Sequence, residues 1–354
     1  MTYLSKEFTA WLEANAQDID QESGGSADEL LTRIAEEGVF KIGVPTGIGG
    51  SGGTATDVID ALSELGRYSL SAAFIGWGHR TLINNILESS NTYLRDTWLP
   101  ELLTGKLAGG TGLSNAIKFL SKIEELNVKV IEKNGRRYLR GCLPWVTNVR
   151  SDNFAVLFAA GCDDKNKEPL VLAVPQSAGI ERSSDLEFMA LQGANTASLT
   201  FDDIVLDDHW ILSENGSDFI AQTRPTFLGY QFGLAFGLAH RSLDEVASTL
   251  SRSRLVLKDE YEAVQAGLNR IQTDLYTGLE DNDYFIHHPR ELFQLRIDIV
   301  DVVTNALLLE LQSSGGRAYF KNSSSGFARR WKEGAFLPIV SPSAVQLRHI
   351  LAVS

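Results

Sequence analysis

With 354 residues, 44% of them hydrophobic and 22% charged, the chain is long enough for two or three domains and too apolar for global disorder. A net charge of −13 argues against nucleic acid and anionic membrane surfaces as partners, because both demand clustered Lys and Arg. Two cysteines, Cys142 and Cys162, exclude a disulfide scaffold and fit a reducing compartment.

Residues 1–109 read as a helical domain. Leu30, Leu31, Ile34 and Val39 approximate the three-four spacing of a buried helix face, and Val58, Ile59, Leu62 and Leu65 repeat it. Thr54 is the expected N-cap of the second run, with Asp57 completing a capping box. Leu94, Trp98, Leu99, Leu102 and Leu103 predict a further helix from Tyr93 to Leu103. Residues 110–213 change character to short β-branched runs (NVKVIE, RYLRG, NFAVLFAAG, PLVLAVP, ASLTFDDIVL), which predict a small barrel or sandwich. Asn134-Gly135 between the first two runs is a hairpin signal. Residues 214–354 are helical again. Leu292, Leu295, Ile299, Val302, Ala306 and Leu309 form a long stripe that ends at Gly315-Gly316, as expected of a helix bundle. The segment from Tyr276 to Pro289 is polar and expected at the surface. The apolar stretch Pro225 to Ala239 is broken by Gln231 and three glycines and is too short to span a bilayer. The acidic N-terminus has no apolar signal core, so a soluble cytoplasmic protein is the expectation.

Several chemical motifs tempt and fail. Gly47 to Gly52 fits G-x-G-x-x-G, but residues 57–103 read as helix and withhold the strand context of a dinucleotide fold. A glycine-rich connection between helices is the simpler expectation. The six histidines, His79, His209, His240, His287, His288 and His349, show no zinc-ligand spacing, and no metal is expected. No G-x-S-x-G elbow is present, and neither cysteine has a partner motif.

The order helical, β, helical becomes specific at Gly141-Cys142-Leu143-Pro144-Trp145-Val146-Thr147-Asn148, which resembles the G-x-K-x-W-I-T-N segment of the acyl-CoA dehydrogenase superfamily. Leu191 to Thr196 with Leu199 to Leu206, Phe236 to Asp244, Gln312 to Tyr319, and the Val44-Pro45 to Gly52 turn are similar to further segments of that family in the same order. The resemblance implies an α+β fold of three parts: an N-terminal helical domain, a middle β-barrel or sandwich domain, and a C-terminal four-helix bundle. It also implies FAD, with FMN as the alternative, held between domains and subunits of a homodimer or homotetramer. Trp145 would flank the isoalloxazine, and Thr147 would hydrogen-bond near N5. Leu113 and Ser114 would meet the pyrimidine edge, and Ser121 the pyrophosphate. Arg254, Gln312, Gly315 and Gly316 would reach the cofactor across the subunit interface, and Ser343 is a further cofactor residue. An electron-transfer flavoprotein or a flavin reductase would be the redox partner, and an acyl thioester on CoA or a carrier protein the substrate.

The sequence departs from the family at the base. Dehydrogenation of an acyl thioester needs a carboxylate to take the α-proton. Aligned on Lys332-Glu333, the position of the usual glutamate is Ser341. The alternative position, on the first bundle helix, falls near Phe227, and no carboxylate lies between Asp218 and Asp244. The loop from Asn115 to Ser121 also lacks the family's glycines, and the chain stops at Ser354, so a reduced tail after the catalytic turn is expected. Three functions follow as expectations. The first is an FAD-dependent dehydrogenase with an atypical or absent base. The second is a flavin-dependent monooxygenase that uses reduced flavin and oxygen. The third is a non-catalytic flavoprotein-like module. Ser341 and His79 are the candidate catalytic residues, His79 because it falls where the monooxygenase branch has a substrate-side histidine.

Overall fold

The computed structural model describes residues 2–162, 167–281, 283–320 and 325–353. The chain opens with five helices: α1 (Lys6–Gln21), α2 (Ser26–Glu36), α3 (Ala55–Tyr68), α4 (Leu70–Glu88) and α5 (Thr92–Leu103). The predicted faces are the buried ones: Leu30, Leu31 and Ile34 on α2, and Val58, Ile59, Leu62 and Leu65 on α3. Thr54 caps α3 with the full reciprocal box to Asp57. Helix α4 is central and buried on every side from Leu70 to Ile86, including the polar His79, Arg80, Asn84 and Asn85. The glycine-rich segment before α3 is a tight turn that bridges Gly52 back to Ile42 and Val44, not a strand-to-helix phosphate loop. A Cβ on Gly50 would come within 2.0 Å of the Val44 carbonyl oxygen, which explains one of its glycines.

A mixed eight-stranded sheet follows: β1 (Ala108–Thr111), β2 (Val128–Lys133), β3 (Arg136–Val146), β4 (Phe154–Cys162), β5 (Leu170–Pro175), β6 (Glu181–Arg182), β7 (Ala197–Val205) and β8 (Ile211–Ser213), with α6 (Leu113–Leu120) between β1 and β2. The hairpin of β2 and β3 turns at Asn134 and Gly135, both at positive φ, as the dipeptide predicts. β1 and β2 lie end to end along one side of β4, both parallel to it, and β5 runs antiparallel on the other side. Flanked on both edges, β4 is buried from Phe154 to Ala160.

The C-terminal helices are α7 (Gly216–Thr249), α8 (Lys258–Glu280), α9 (Tyr284–His287), α10 (Pro289–Ser314), α11 (Phe327–Gly334) and α12 (Ala344–Val353). Helix α7 docks on α3 through glycines. A Cβ on Gly237 would stand 2.3 Å from the Ser63 carbonyl oxygen, and one on Gly233 would stand 2.6 Å from Leu62 Cβ. The stretch that is too short to span a bilayer is therefore a close helix-packing face, and no described helix is long and apolar enough to cross a membrane. One expectation is corrected. The segment from Tyr276 to Pro289 is at the surface in Thr277, Glu280, Asp281, Asp283, His287 and His288, but much of it is helix rather than loop, because α8 runs on to Glu280 and α9 follows, with Phe285 buried and its ring against Gly278.

A buried acid joins the parts. Asp20, at the end of α1, accepts a hydrogen bond from Leu191 N at 2.7 Å, while its other oxygen has no partner. Burial and then the nearby Glu333 carboxylate push Asp20 up to about 7. The folded state therefore holds a proton that the unfolded state releases near pH 4, so this contribution to stability is full below about pH 4 and disappears as pH rises through 7. Asp20→Asn keeps the acceptor and abolishes the titration. Its stability relative to the wild type should grow between pH 5 and pH 8 in urea unfolding, and a constant difference would refute the assignment.

Candidate functional site

The three parts meet around a cavity of about 590 Å³, a size ordinary for cofactor and substrate sites. Helix α4 contributes Phe74 and Trp77, and the β1–α6 region contributes Thr111, Ser114 and Lys118. The end of β3 and the residue after it supply Trp145 and Thr147. The segment from Phe188 to Thr196 forms another wall. Phe227 of α7, Lys332 of α11, the turn from Ala335 to Ser341, and Ser343 and Gln346 at the start of α12 complete it.

The buried floor is aromatic. The Phe74 and Trp77 rings stack at 5.5 Å, Phe336 meets Phe74 edge-on at 4.8 Å, and Phe227 packs on Trp77 at 5.2 Å. Trp77 Nε1 donates to the Phe227 carbonyl, which satisfies its polar end. The mouth is equally apolar but open. Trp145 is 60% exposed, Met189 66% and Ile339 65%. Large apolar side chains left exposed around one cavity mark a surface that a ligand covers. Trp145 is thus not a core tryptophan.

Polar groups are few, and several of them are buried. Thr147 Oγ1 lies 3.3 Å from Thr196 Oγ1, and Thr111 Oγ1 is buried without a partner. Helix α6 starts after Gly112 with no side-chain cap, which leaves its first N–H groups, those of Leu113 and Ser114 among them, for a ligand. Leu113 itself is buried beneath. Ser343 and Gln346 form a capping box at α12: Ser343 N donates to Gln346 Oε1 at 2.7 Å, and Gln346 N to Ser343 Oγ at 3.3 Å. Among the described lining residues, the charged ones are Lys118 and Lys332; no Asp, Glu or His is among them. Lys118 is paired with Glu124 at 2.7 Å.

The structure brings together Ser114, Trp145, Thr147, Ser341 and Ser343, and it separates the other candidates from them. His79 is a correction. It lies on α4 but is fully buried against Phe40, with Nε2 donating to the Leu102 carbonyl at 2.8 Å and Nδ1 accepting from Gly109 N at 3.0 Å. Burial pushes it down to about 4, so it is a neutral core residue. His79→Leu should cost about 1–3 kcal/mol by orphaning Gly109 N–H, measured by thermal unfolding, and leave ligand affinity in place. Ser121 is also away from the cavity: it ends α6 and donates to the Ile117 carbonyl. Where a phosphate loop lacking the family's glycines was expected, α6 runs through residues 113–120, and Asn115 is engaged by Glu124, the Glu125 carbonyl and Asn127 N.

Arg254, Gln312, Gly315 and Gly316 sit at another end of the molecule. Arg254 lies in the turn before α8, and Gln312 with the two glycines ends α10, which packs against that turn. Arg254, Gln312 and Gly316 are exposed there, beside Val256 and Tyr319, which are 80% and 85% exposed. Sequence reasoning missed the floor residues Phe74 and Trp77, and Gln346. Only the S-x-x-Q spacing of Ser343 and Gln346 carried a readable signal. Among the described residues, no group of three His, Cys, Asp or Glu side chains is placed to hold a metal.

Comparison with known proteins agrees with this architecture. The family model described as acyl-CoA dehydrogenase, N-terminal domain, matches residues 5–106. An acyl-CoA dehydrogenase of Bacillus subtilis (strain 168) is 23% identical over 339 residues, covering 91% of this chain and 88% of its own. Mitochondrial isovaleryl-CoA dehydrogenase of Bos taurus is 27% identical over 214 residues, which span 56% of this chain and 48% of that one. The structure of glutaryl-coenzyme A dehydrogenase in its glutaryl-CoA complex superposes with a TM-score of 0.82 at 16% identity, covering 99% of this chain and 95% of that chain. The chain is thus similar to acyl-CoA dehydrogenases in its N-terminal domain by family model, along most of its length to one relative at 23% identity, and throughout in its fold.

Proposed function

We propose that the chain is an FAD-dependent oxidoreductase that acts on an acyl thioester without a carboxylate base in its cavity. One observation carries this: Trp145, Thr147, Ser114, Ser341 and Ser343 converge on a single apolar cavity whose described lining contains no acid. The orphaned Thr111 hydroxyl, the uncapped start of α6 and the exposed Trp145 face fit a flat heteroaromatic ring with a polar edge. FAD, when bound, supplies a two-electron acceptor. Trp145 presents a ring face to it, Thr147 and Ser114 present donors, and Ser343 offers a hydroxyl from the start of α12. The aromatic floor excludes water and accommodates the apolar body of an acyl group. Arg254, Gln312, Gly315 and Gly316, exposed at the far end of the bundle, are available to a second subunit's cofactor rather than to this cavity. An electron-transfer flavoprotein or oxygen then serves as the external acceptor.

Two chemistries share this site. In α,β-dehydrogenation a base takes the α-proton, and neither Ser341 nor Phe227 is one. The acid-free lining favours a second reading, oxygen-dependent monooxygenation, in which no α-proton is removed. Denaturing the purified protein should release FAD, and Trp145→Ala should weaken its retention at least tenfold. Anaerobic bleaching of the flavin by a saturated acyl thioester would select the dehydrogenase. Substrate-dependent oxygen uptake with reduced flavin would select the monooxygenase. A colourless protein that cannot be reconstituted with FAD would refute both and leave a non-catalytic module.

A further inference from the structure

Behind the turn that carries Ile339, Val340 and Ser341 lies a buried cation. Arg296 of α10 is 2% exposed, and no described carboxylate pairs with it. Its Nε donates to Gln231 Oε1 at 3.0 Å, and one terminal nitrogen donates to the Leu337 carbonyl at 2.9 Å. Gln231 Nε2 in turn donates to the Ser341 carbonyl at 2.8 Å. The other terminal nitrogen of Arg296 has no partner. Both captured carbonyls belong to peptide bonds with a following proline, Pro338 and Pro342, so the segment has lost two N–H donors of its own. Beside the segment's own turn hydrogen bonds, Arg296 and Gln231 tie it to α10 and α7, and it carries the lining residues Ile339, Val340 and Ser341.

A guanidinium removed from water without an acid is costly. Burial pushes Arg296 down to about 10, so it remains charged at neutral pH. Arg224 repeats the pattern one turn before Phe227. It is largely buried over the Phe293 ring, with its Nε unpartnered. The residues Arg224, Phe227 and Gln231 lie on one face of α7, and Phe293 and Arg296 on one face of α10. Across the cavity the acids are matched. Glu333 pairs with Arg329 at 2.8 Å, and Asp20 keeps its proton up to about pH 7. The charged lining residues, Lys118 and Lys332, are both cations, Lys118 paired with Glu124, and Arg296 lies behind the Leu337–Ser341 segment, inside a molecule of net charge −13.

We propose that the cavity selects a ligand bearing or developing negative charge beside Ser341, and that Arg296, acting through Gln231 and the 337–341 backbone, is the positioning residue that sets this preference. The proposal rests on the cavity being the ligand site. It deepens the functional reading: a site without a proton acceptor is built to favour an anion.

The test is calorimetric binding of 3-phenylpropanoate and 3-phenylpropanamide, which share an apolar body and differ in charge, to the protein as purified. The wild type should bind the carboxylate about tenfold more tightly than the amide. Arg296→Met should bring that ratio near one while leaving amide affinity within about threefold, and Arg296→Lys should keep the preference. Equal binding by the wild type, or no binding of either probe, overturns the proposal. So does loss of the preference in Lys332→Met, because the lining lysine would then be its source. Should Arg296→Met fail to fold, the Arg296→Lys and Lys332→Met ratios decide. Flavin released from the same preparations reports separately on the oxidoreductase reading, so its failure is distinguishable from a failure of charge selection.

Discussion

Replacing Glu310 with alanine is expected to destabilise the chain by about 3–5 kcal/mol in equilibrium urea unfolding. Glu310 of α10 and Arg330 of α11 are each 1% exposed in their side chains and are joined by two bonds, from Nε and one terminal nitrogen of the guanidinium to the two carboxylate oxygens. Removing the acid leaves a guanidinium in the interior with only the Ser325 carbonyl and a distant Glu245 to answer it. The pair of replacements Glu310→Leu with Arg330→Met should recover a substantial part of the loss, because matched apolar groups avoid the desolvation that the ion pair must overcome. A loss below 1 kcal/mol would show that water reaches the pair. The effect reaches the site as well, since α11 carries Lys332 and leads into the Ser341 turn.

Ser341→Glu is expected to create the missing base. Ser341 lines the cavity that holds Trp145 and Thr147, and the aromatic floor lowers the local polarity. A carboxylate there should raise α-proton exchange of a bound acyl thioester by at least about 100-fold, the lower end of what general-base catalysis contributes. Burial among Phe74, Phe227 and Phe336 should also raise its pKa, so exchange should increase with pH through the mildly acidic range. Exchange no faster than in the wild type would mean that the substrate's α-carbon does not sit beside Ser341.

How much of this was readable in the sequence depends on what each signal measures. Amphipathic spacing gave the faces of α2, α3 and α10 because packing of one face is what periodicity records. Thr54 with Asp57, and Asn134 with Gly135, are local geometries in which a few residues decide the outcome. The motif around Trp145 and Thr147 led to the cavity. The fully buried α4 had no face to reveal, so its Phe74 and Trp77 could not be told from core residues. His79 was misplaced for the same reason: its position along α4 does not show that both ring nitrogens meet backbone. The segment around Phe285 looked polar in composition, yet one aromatic side chain against Gly278 is enough to bury its centre. Arg296 left no local trace, because its meaning depends on which carboxylates fail to reach it across three helices.

The central claim is that this cavity handles an acyl thioester without a carboxylate base. The most direct measurement is loss of deuterium from the α-carbon of a saturated acyl thioester, mixed anaerobically with the FAD-loaded wild type and with Ser341→Glu and followed by mass spectrometry. The wild type should retain the label while the variant sheds it. Label loss from the wild type as fast as from the variant would contradict the account, because it would require a base that the described cavity does not contain.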